Sequence, residues 1–435
     1  MTVAAGMSSQ AFAEEFTHLQ LGTGVTLHVW PTSQFKTVRI SAFALRPLRR
    51  EEAASAGLLP LVLRRGSRRH PTALSLEETL AEMYGASLEG SARKVGEHHV
   101  ISFSGAAPDE TLVGERGIIN GLFDLMYEFV SSPAQVNHAL RQDYVAQEKA
   151  LQQARIRSLI NNKQSYAMWR CTEEMCREEP FGTYVLGDLA SLEAITAEGL
   201  FEYHQTVLYH SPVHIFVVGN VVAEEITRYV SDLWRRPAGA VEVPAPTRLG
   251  QAPASPRRVV EEQAMSQGWL VMGWRVPVGW NDPLFYAVQL YQNLLGGGVH
   301  SLLFKHVREE AHLAYTAFTA WEPAKGLLLA CAGIDPGKAA QAEGIMRQQF
   351  EAVAAGRFGD EELEVARRSL LTRLRSSLDS PGWRVSHYLQ GVVEGHVRSA
   401  GEMLDSLDGV GRAEVQKVAE QARLDTVFFL RGTAA

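Results

Sequence analysis

Apolar and polar positions alternate with period two near the start of the chain, in Val25-Thr26-Leu27-His28-Val29 and again in Val38-Arg39-Ile40-Ser41-Ala42-Phe43, with turn residues between the runs. A side chain that changes face at every step marks a strand half buried against a core, and two such runs joined by a turn predict an antiparallel pair. The period then lengthens. Leu76, Leu80, Met83 and Tyr84 fall on one helical face, and Gly85 supplies a stop. From His98 to Phe103 the strand pattern returns, with His99, Ile101 and Phe103 sharing a face. Strands and helices that mix without strict βα alternation predict an α+β domain, an antiparallel sheet with helices over one face.

The pattern also repeats over a longer distance. Leu189 to Leu200, a helix-like stretch, leads into the strand-like run Val213-His214-Ile215-Phe216-Val217-Val218-Gly219; Leu404 to Val415 leads in the same way into Thr426-Val427-Phe428-Phe429-Leu430-Arg431-Gly432. Order, spacing to the domain end and the terminal glycine all agree, which predicts a duplicated domain. Between the two copies, Arg235 to Arg258 holds five prolines and almost no large apolar residue. Proline fixes φ and favours extended backbone, so this reads as a semi-rigid linker running across a surface. The expected organisation is therefore residues 1–236 as a first domain, 237–258 as linker and 259–435 as a second, homologous domain.

Composition narrows the function. At 435 residues, 46% hydrophobic and 21% charged, the chain is neither disordered nor a collagen or coiled-coil rod, and it is long enough for well-buried cores. Lys+Arg of 42 against Asp+Glu of 49 gives a net charge of -7, which offers no basic footprint for nucleic acid or anionic lipid. Cys171, Cys176 and Cys331 are too few for a disulfide framework, and free thiols in a reducing compartment are expected. No apolar run approaches the ~18 residues of a membrane span. Met1 to Phe16 carries Glu14 and Glu15 and no basic residue, unlike a secretory leader, so a cytoplasmic protein is expected.

The most specific segment is Gly296-Gly297-Gly298-Val299-His300-Ser301-Leu302-Leu303-Phe304-Lys305-His306-Val307-Arg308-Glu309-Glu310-Ala311-His312-Leu313-Ala314-Tyr315. Glycines ahead of a helical run let backbone approach something closely. A nucleotide loop would end in Gly-Lys-Ser/Thr, which is absent. A plain turn into an amphipathic helix on Leu302, Leu303, His306 and Val307 is the simpler alternative. The segment, however, resembles the signature of the pitrilysin/insulinase family of zinc peptidases, which includes the mitochondrial processing peptidases: Gly-Gly-Gly-x-x-Ser-Arg-Leu-Phe-x-x-Val-Arg-Glu-x-x-Gly-Leu-Ala-Tyr. That resemblance implies a metallopeptidase clamshell and gives Arg308 and Tyr315 the roles of holding a substrate backbone and stabilising a developing oxyanion, with Gly296, Gly297 and Gly298 beside the substrate. A fixed guanidinium fork and a phenol donor suit such a carbonyl. Leu302 stands where the family has Arg, and His312 where it has Gly.

The first half is similar to the same family in its outer landmarks, Thr23-Gly24-Val25 and Arg65-Gly66-Ser67, but not in its centre. Where His-x-x-Glu-His belongs, the chain reads Gly57-Leu58-Leu59-Pro60-Leu61-Val62-Leu63-Arg64. Zinc takes imidazole, thiolate or carboxylate ligands, which Gly57, Pro60 and Leu61 do not supply, and the carboxylate that would activate a zinc-bound water is missing too. Glu148 matches the region of the family's third ligand; without its two histidine partners it reads as a solvated helix charge. Glu97-His98-His99 is the one other tempting cluster, yet neighbours on a strand point to opposite faces. His300, His306 and His312 spread over different helical faces and read as surface or packing residues.

The resemblance thus implies a family member without zinc of its own. As in processing peptidases that work as heterodimers, the expected role is the non-catalytic subunit beside a homologous zinc-bearing partner, acting on peptide or unfolded protein, with a homodimer possible in isolation. A binding or scaffold protein with no proteolytic role is the alternative, and a stand-alone hydrolase with a rebuilt metal site is a third.

Overall fold

The computed structural model describes residues 16–234 and 239–433. The expectation about a leader, apart from Phe16, and the expected boundary at residues 236 and 237 lie outside the described residues.

In the first half the strands are β1 (Thr17–Gly22), β2 (Val25–Pro31), β3 (Thr37–Pro47), β4 (Ser87–Val95), β5 (His98–Pro108), the short ribbon β6 (Gln135–Val136) and β7 (Ala139–Leu140), and β8 (Val213–Gly219). In the second they are β9 (Arg257–Ala264), β10 (Gly268–Arg275), β11 (Ala314–Glu322), β12 (Leu327–Ile334) and β13 (Arg423–Thr433). The first sheet runs β1-β2-β8-β3-β5-β4 and the second β11-β12-β10-β13-β9. Read from its other end, the second sheet repeats the first strand for strand. β9 stands for β2, β13 for β8, β10 for β3, β12 for β5 and β11 for β4. The parallel pair of the first sheet, β2 with β8, falls on the parallel pair of the second, β9 with β13, while the other neighbours are antiparallel in both. The echo between Val213–Gly219 and Thr426–Gly432 is therefore topological as well as textual. Among the described residues, β1 is the one strand of the six-stranded sheet without a counterpart.

Each sheet carries a helical layer on one face. Beneath the first, Leu27, Ile40, Ile101 and Ile215 meet Leu58, Leu59, Leu122 and Phe123; beneath the second, Leu270, Met272, Leu328 and Phe429 meet Leu290, Leu294, Met346 and Phe350. The opposite faces are buried too, and here the halves exchange elements. The helix Lys163–Met175 of the first half lays Ala167, Cys171 and Met175 on Val271, Cys331 and Phe428 of the second sheet. The helix Pro381–Glu394 of the second half lays Val385 and Leu389 on Phe43, Val100 and Phe216 of the first. Both faces of the central strands are thereby apolar, which is why β8 and β12 read as nearly unbroken hydrophobic runs rather than alternating ones.

Residues 239–256 form no helix or strand and pass along the seam between the halves. There Lys325, 1% exposed, donates to Glu97 at 2.6 Å, to Glu179 at 2.7 Å and to the Arg248 carbonyl, while Arg275 bridges Glu179 at 2.6 Å and Asp425 at 3.0 Å. Burial would raise the Glu179 carboxyl, but hydrogen bonds and charge from Arg275 and Lys325 hold it below its ordinary value.

At the β1 edge three imidazoles line up across the strands. His18 lies opposite His28 with their Nδ1 atoms 2.8 Å apart, His28 Nε2 lies 3.1 Å from His214 Nδ1, and Tyr388 of the crossing helix reaches His18 Nε2. Burial, reinforced by His214 and His18, pushes His28 down to about 2, and burial pushes His214 down to about 4. Neutral rings can pass one N–H along the whole row.

One local expectation is corrected. The helix Ala73–Glu82 ends before Tyr84, which has φ +58° and is 51% exposed, so only Leu76 and Leu80 of that stripe are fully buried.

Candidate functional site

The segment Gly296–Tyr315 folds into two irregular elements. Helix Phe285–Gly296 ends against β11: a Cβ on Gly296 would stand 2.4 Å from the Thr319 nitrogen. At Gly297 a Cβ would collide with Asn293, and at Gly298 it would meet nothing within 4 Å. Two of the three glycines thus serve close approach to the chain itself, and Gly298 alone is open. In place of the amphipathic α-helix considered above, Phe304–Glu310 is a π-helix, with Leu302, Leu303 and Val307 buried and His306 bonded to Glu310 at 2.6 Å. Widening the turn by one residue re-aims every side chain after it.

Arg308 lies on that turn, its guanidinium carbon 4.5 Å from the centre of the Phe304 ring and 5.3 Å from that of Tyr315. Tyr315 is itself set by an irregularity. Ala314 pairs with Ile334 and Thr316 with Gly333, which leaves Tyr315 as the extra residue of a β-bulge, turned outward and 75% exposed. His312, where the family has glycine, keeps the left-handed backbone at φ +54°. The structure therefore brings Arg308 and Tyr315 together, the guanidinium within reach of both the Phe304 and the Tyr315 rings and, among the described residues, with no hydrogen-bond acceptor on its N–H fork.

The region of the missing zinc motif is a filled core. Gly57, Pro60 and Leu61 lie on the helix Arg50–Leu63, packed against β4 and the helix Gln142–Ser158. A Cβ on Gly57 would stand 3.1 Å from Leu186 and 3.2 Å from Gln152 Nε2, so a histidine there has no room. Gln152, fully buried, donates to the carbonyls of Leu186 at 2.8 Å and Ala54 at 3.2 Å. Pro60 lacks the N–H that would continue the ladder. Arg64 turns away to the Leu88 carbonyl at 2.6 Å and to Glu77 at 2.8 Å. The reading of Glu148 as a solvated charge is corrected: it is 5% exposed and accepts from Arg65 Nε at 2.5 Å. A guanidinium holds this carboxylate, and the side chain of the same helix that faces Gly57 is Gln152, which nothing in the sequence singles out. These residues do not fit a zinc ion, and among the described residues no group of three or more His, Cys, Asp or Glu could hold a metal. His98 and His99 are both buried in β5. Among the described residues, no hydrogen bond, ion pair or ring contact joins the Gly57 region to Arg308 or Tyr315.

Beside the filled core lies a cleft of about 620 Å³, lined by Ile156, Ile160, Trp169, Tyr184 and Leu189 and flanked by Arg50 and Arg157.

Residues 194–370 match the family model described as the peptidase M16 inactive domain. A relative from Bacillus subtilis, named a probable inactive metalloprotease, is 32% identical over 415 residues, spanning 94% of this chain and 96% of its own. The chain belongs to the M16 peptidase family. An uncharacterized zinc protease of Mycobacterium leprae is 25% identical over 249 residues, 56% of each chain. Among solved structures, a conserved protein of Enterococcus faecalis matches with a TM-score of 0.91 at 25% identity over 97% of this chain and all of its own. An M16 inactive-domain protein of Pseudomonas fluorescens matches with a TM-score of 0.79 at 16% identity, covering 97% and 99%, a likeness of fold. The matched M16 segment contains Arg308 and Tyr315 and excludes Gly57 to Arg64. No helix among the described residues is long and apolar enough to cross a membrane.

Proposed function

We propose that this M16 chain is the non-catalytic subunit of a heterodimeric zinc peptidase, presenting Arg308 and Tyr315 to a substrate held by a homologous partner that carries the metal. The observation that carries this reading is the contrast between the two regions. Around Gly57 every group that could approach an ion is replaced by packing or neutralised by Arg65. Arg308 and Tyr315, by contrast, are brought together where a π-helix meets a bulge, with Tyr315 turned outward. A guanidinium and a phenol at one surface point can donate to a peptide carbonyl, and more strongly to the oxyanion it becomes. The name of the Bacillus relative, an inactive metalloprotease, agrees with a chain that does not cleave alone. In this reading zinc belongs to the partner and the substrate is a peptide or an unfolded protein.

A second reading, peptide binding without proteolysis, is favoured by the apolar cleft beside Tyr184 and Leu189. Co-expression with a homologue bearing His-x-x-Glu-His separates the two. Association with peptide cleavage only in the pair supports the first reading, whereas a pair that neither associates nor gains activity overturns it.

A further inference from the structure

The duplication is incomplete at one place. In the first sheet the edge of β2 is covered by β1, which pairs with it antiparallel; in the second, β9 holds the place of β2 and pairs, among the described residues, with β13 alone. The described residues ahead of β9, 239–256, form no strand, and none of them pairs with it. Its outer row of backbone N–H and C=O groups is left without a ladder, a template for another extended strand.

The side chains say which strand. Odd-numbered residues of β9 face the crossing helix Lys163–Met175: Glu261 binds Arg170 at 2.6 Å and Tyr166 at 2.9 Å, and Gln263 accepts from Lys163 at 2.7 Å. Even-numbered residues lie on the side of Phe429, toward the helical layer, but at this edge they stay exposed outward, and in order they are Arg258, Val260, Glu262 and Ala264, with Val260 51% exposed. Arg258 and Glu262 are held in place by Glu343 at 2.5 Å and Arg431 at 3.2 Å, while their side chains stay 65% and 58% exposed.

We propose that β9 is the seam of a homodimer, in which a second copy of this chain adds its own β9 antiparallel and joins the two second sheets into one. A two-fold axis normal to the sheet must set outward residues opposite outward residues. Centred on Val260, it places Arg258 opposite Glu262 of the other copy, twice, with the two Val260 side chains in contact across the axis. Opposite charges face each other in that register, and the covered face meets the covered face. Shifting the axis by one residue either way sets Arg258 against Val260 or Val260 against Glu262. The seam lies at the edge of the second sheet opposite to β11, so it leaves Arg308 and Tyr315 free, and it stands whether or not a zinc-bearing partner exists.

The test uses the full chain. Sedimentation should give a dimer. Val260→Cys should form an interchain disulfide under mild oxidation, because directly opposed residues of an antiparallel pair bring their Cα atoms within bridging distance. The three native cysteines are buried, and Val222→Cys, exposed on another surface, serves as the control and should remain unlinked. Arg258→Glu should weaken the dimer by roughly tenfold or more, and Arg258→Glu with Glu262→Arg should restore it. A monomer at every concentration, or V260C linking no faster than V222C, overturns the proposal. A dimer that R258E leaves unchanged overturns the register and with it the argument.

Discussion

Gln152 stands so close to Gly57 that a Cβ at position 57 would lie 3.2 Å from its Nε2, and the amide bonds across that gap to the carbonyls of Leu186 and Ala54. The place where a metal ligand would project is occupied by a hydrogen-bonded side chain. Writing the motif back into the sequence should therefore not write back the metal. Gly57→His with Pro60→Glu and Leu61→His is expected to lose about 1–3 kcal/mol by overpacking and to bind no zinc above background. Metal content after dialysis and a urea melt check this; one tightly held equivalent with unchanged stability would show that the core yields.

Arg308 and Tyr315 should separate function from folding. Tyr315 is largely exposed and Arg308 half-buried over two rings, so Tyr315→Phe is expected within about 0.5 kcal/mol of the parent in a melt. In the complex with a zinc-bearing partner, Tyr315→Phe and Arg308→Lys should lower kcat by about tenfold or more without dissociating the pair, the loss expected of transition-state donors. Turnover equal to the parent's in an intact pair would make both residues structural.

Lys325 joins three parts of the chain at the seam. Replacing it with Met leaves the partly buried Glu97 and Glu179 without their shared cation. Breaking a buried ion network from one side costs about 3–5 kcal/mol, and a loss of that order is expected for Lys325→Met in denaturant unfolding at pH 7. A change below about 1 kcal/mol would mean that Arg275 alone compensates Glu179.

The row of His18, His28 and His214 sets an acid limit. The folded values of His28 and His214, about 2 and about 4, lie below the ordinary 6.5, so the unfolded chain binds protons that the folded one refuses. Stability from these rings is complete above pH 6.5 and drains away as the pH falls from there toward 4, by up to about 1.4 kcal/mol per pH unit for each ring. A His28→Phe, His214→Phe variant should have a flatter melting-temperature profile between pH 7 and 5 than the parent. Parallel profiles would place the acid sensitivity elsewhere.

Much of this fold is legible in the sequence because period-two runs such as Val25–Val29 and Val38–Phe43 are direct prints of a half-buried sheet. The duplication is legible because the strands that close the two halves kept their wording. The crossing helices are not legible. Ala167, Cys171 and Met175 make an ordinary amphipathic stripe, and nothing local says that it lies on the other half's sheet. Glu148 looks solvated for a related reason: its helix is polar, and the arginine that buries it lies at position 65. That Gly57, Pro60 and Leu61 supply no zinc ligand is plain from the sequence, but the packing of Gln152 and Leu186 against Gly57 exists only in three dimensions. Arg308 and Tyr315 stand out through family resemblance alone, since a π-turn and a bulge each depend on a single residue out of register, which no periodicity reports.

The exchange of helices also imposes an order on synthesis. The last strand of the first sheet is complete at Gly219, yet the helix that covers its second face begins at Pro381. While the ribosome makes everything between them, Phe43, Leu45, Phe216 and Val218 stand uncovered on a nearly finished sheet, available to chaperones or to other nascent chains. The second apolar face of the first sheet is closed only once the helix Pro381–Glu394 has been made.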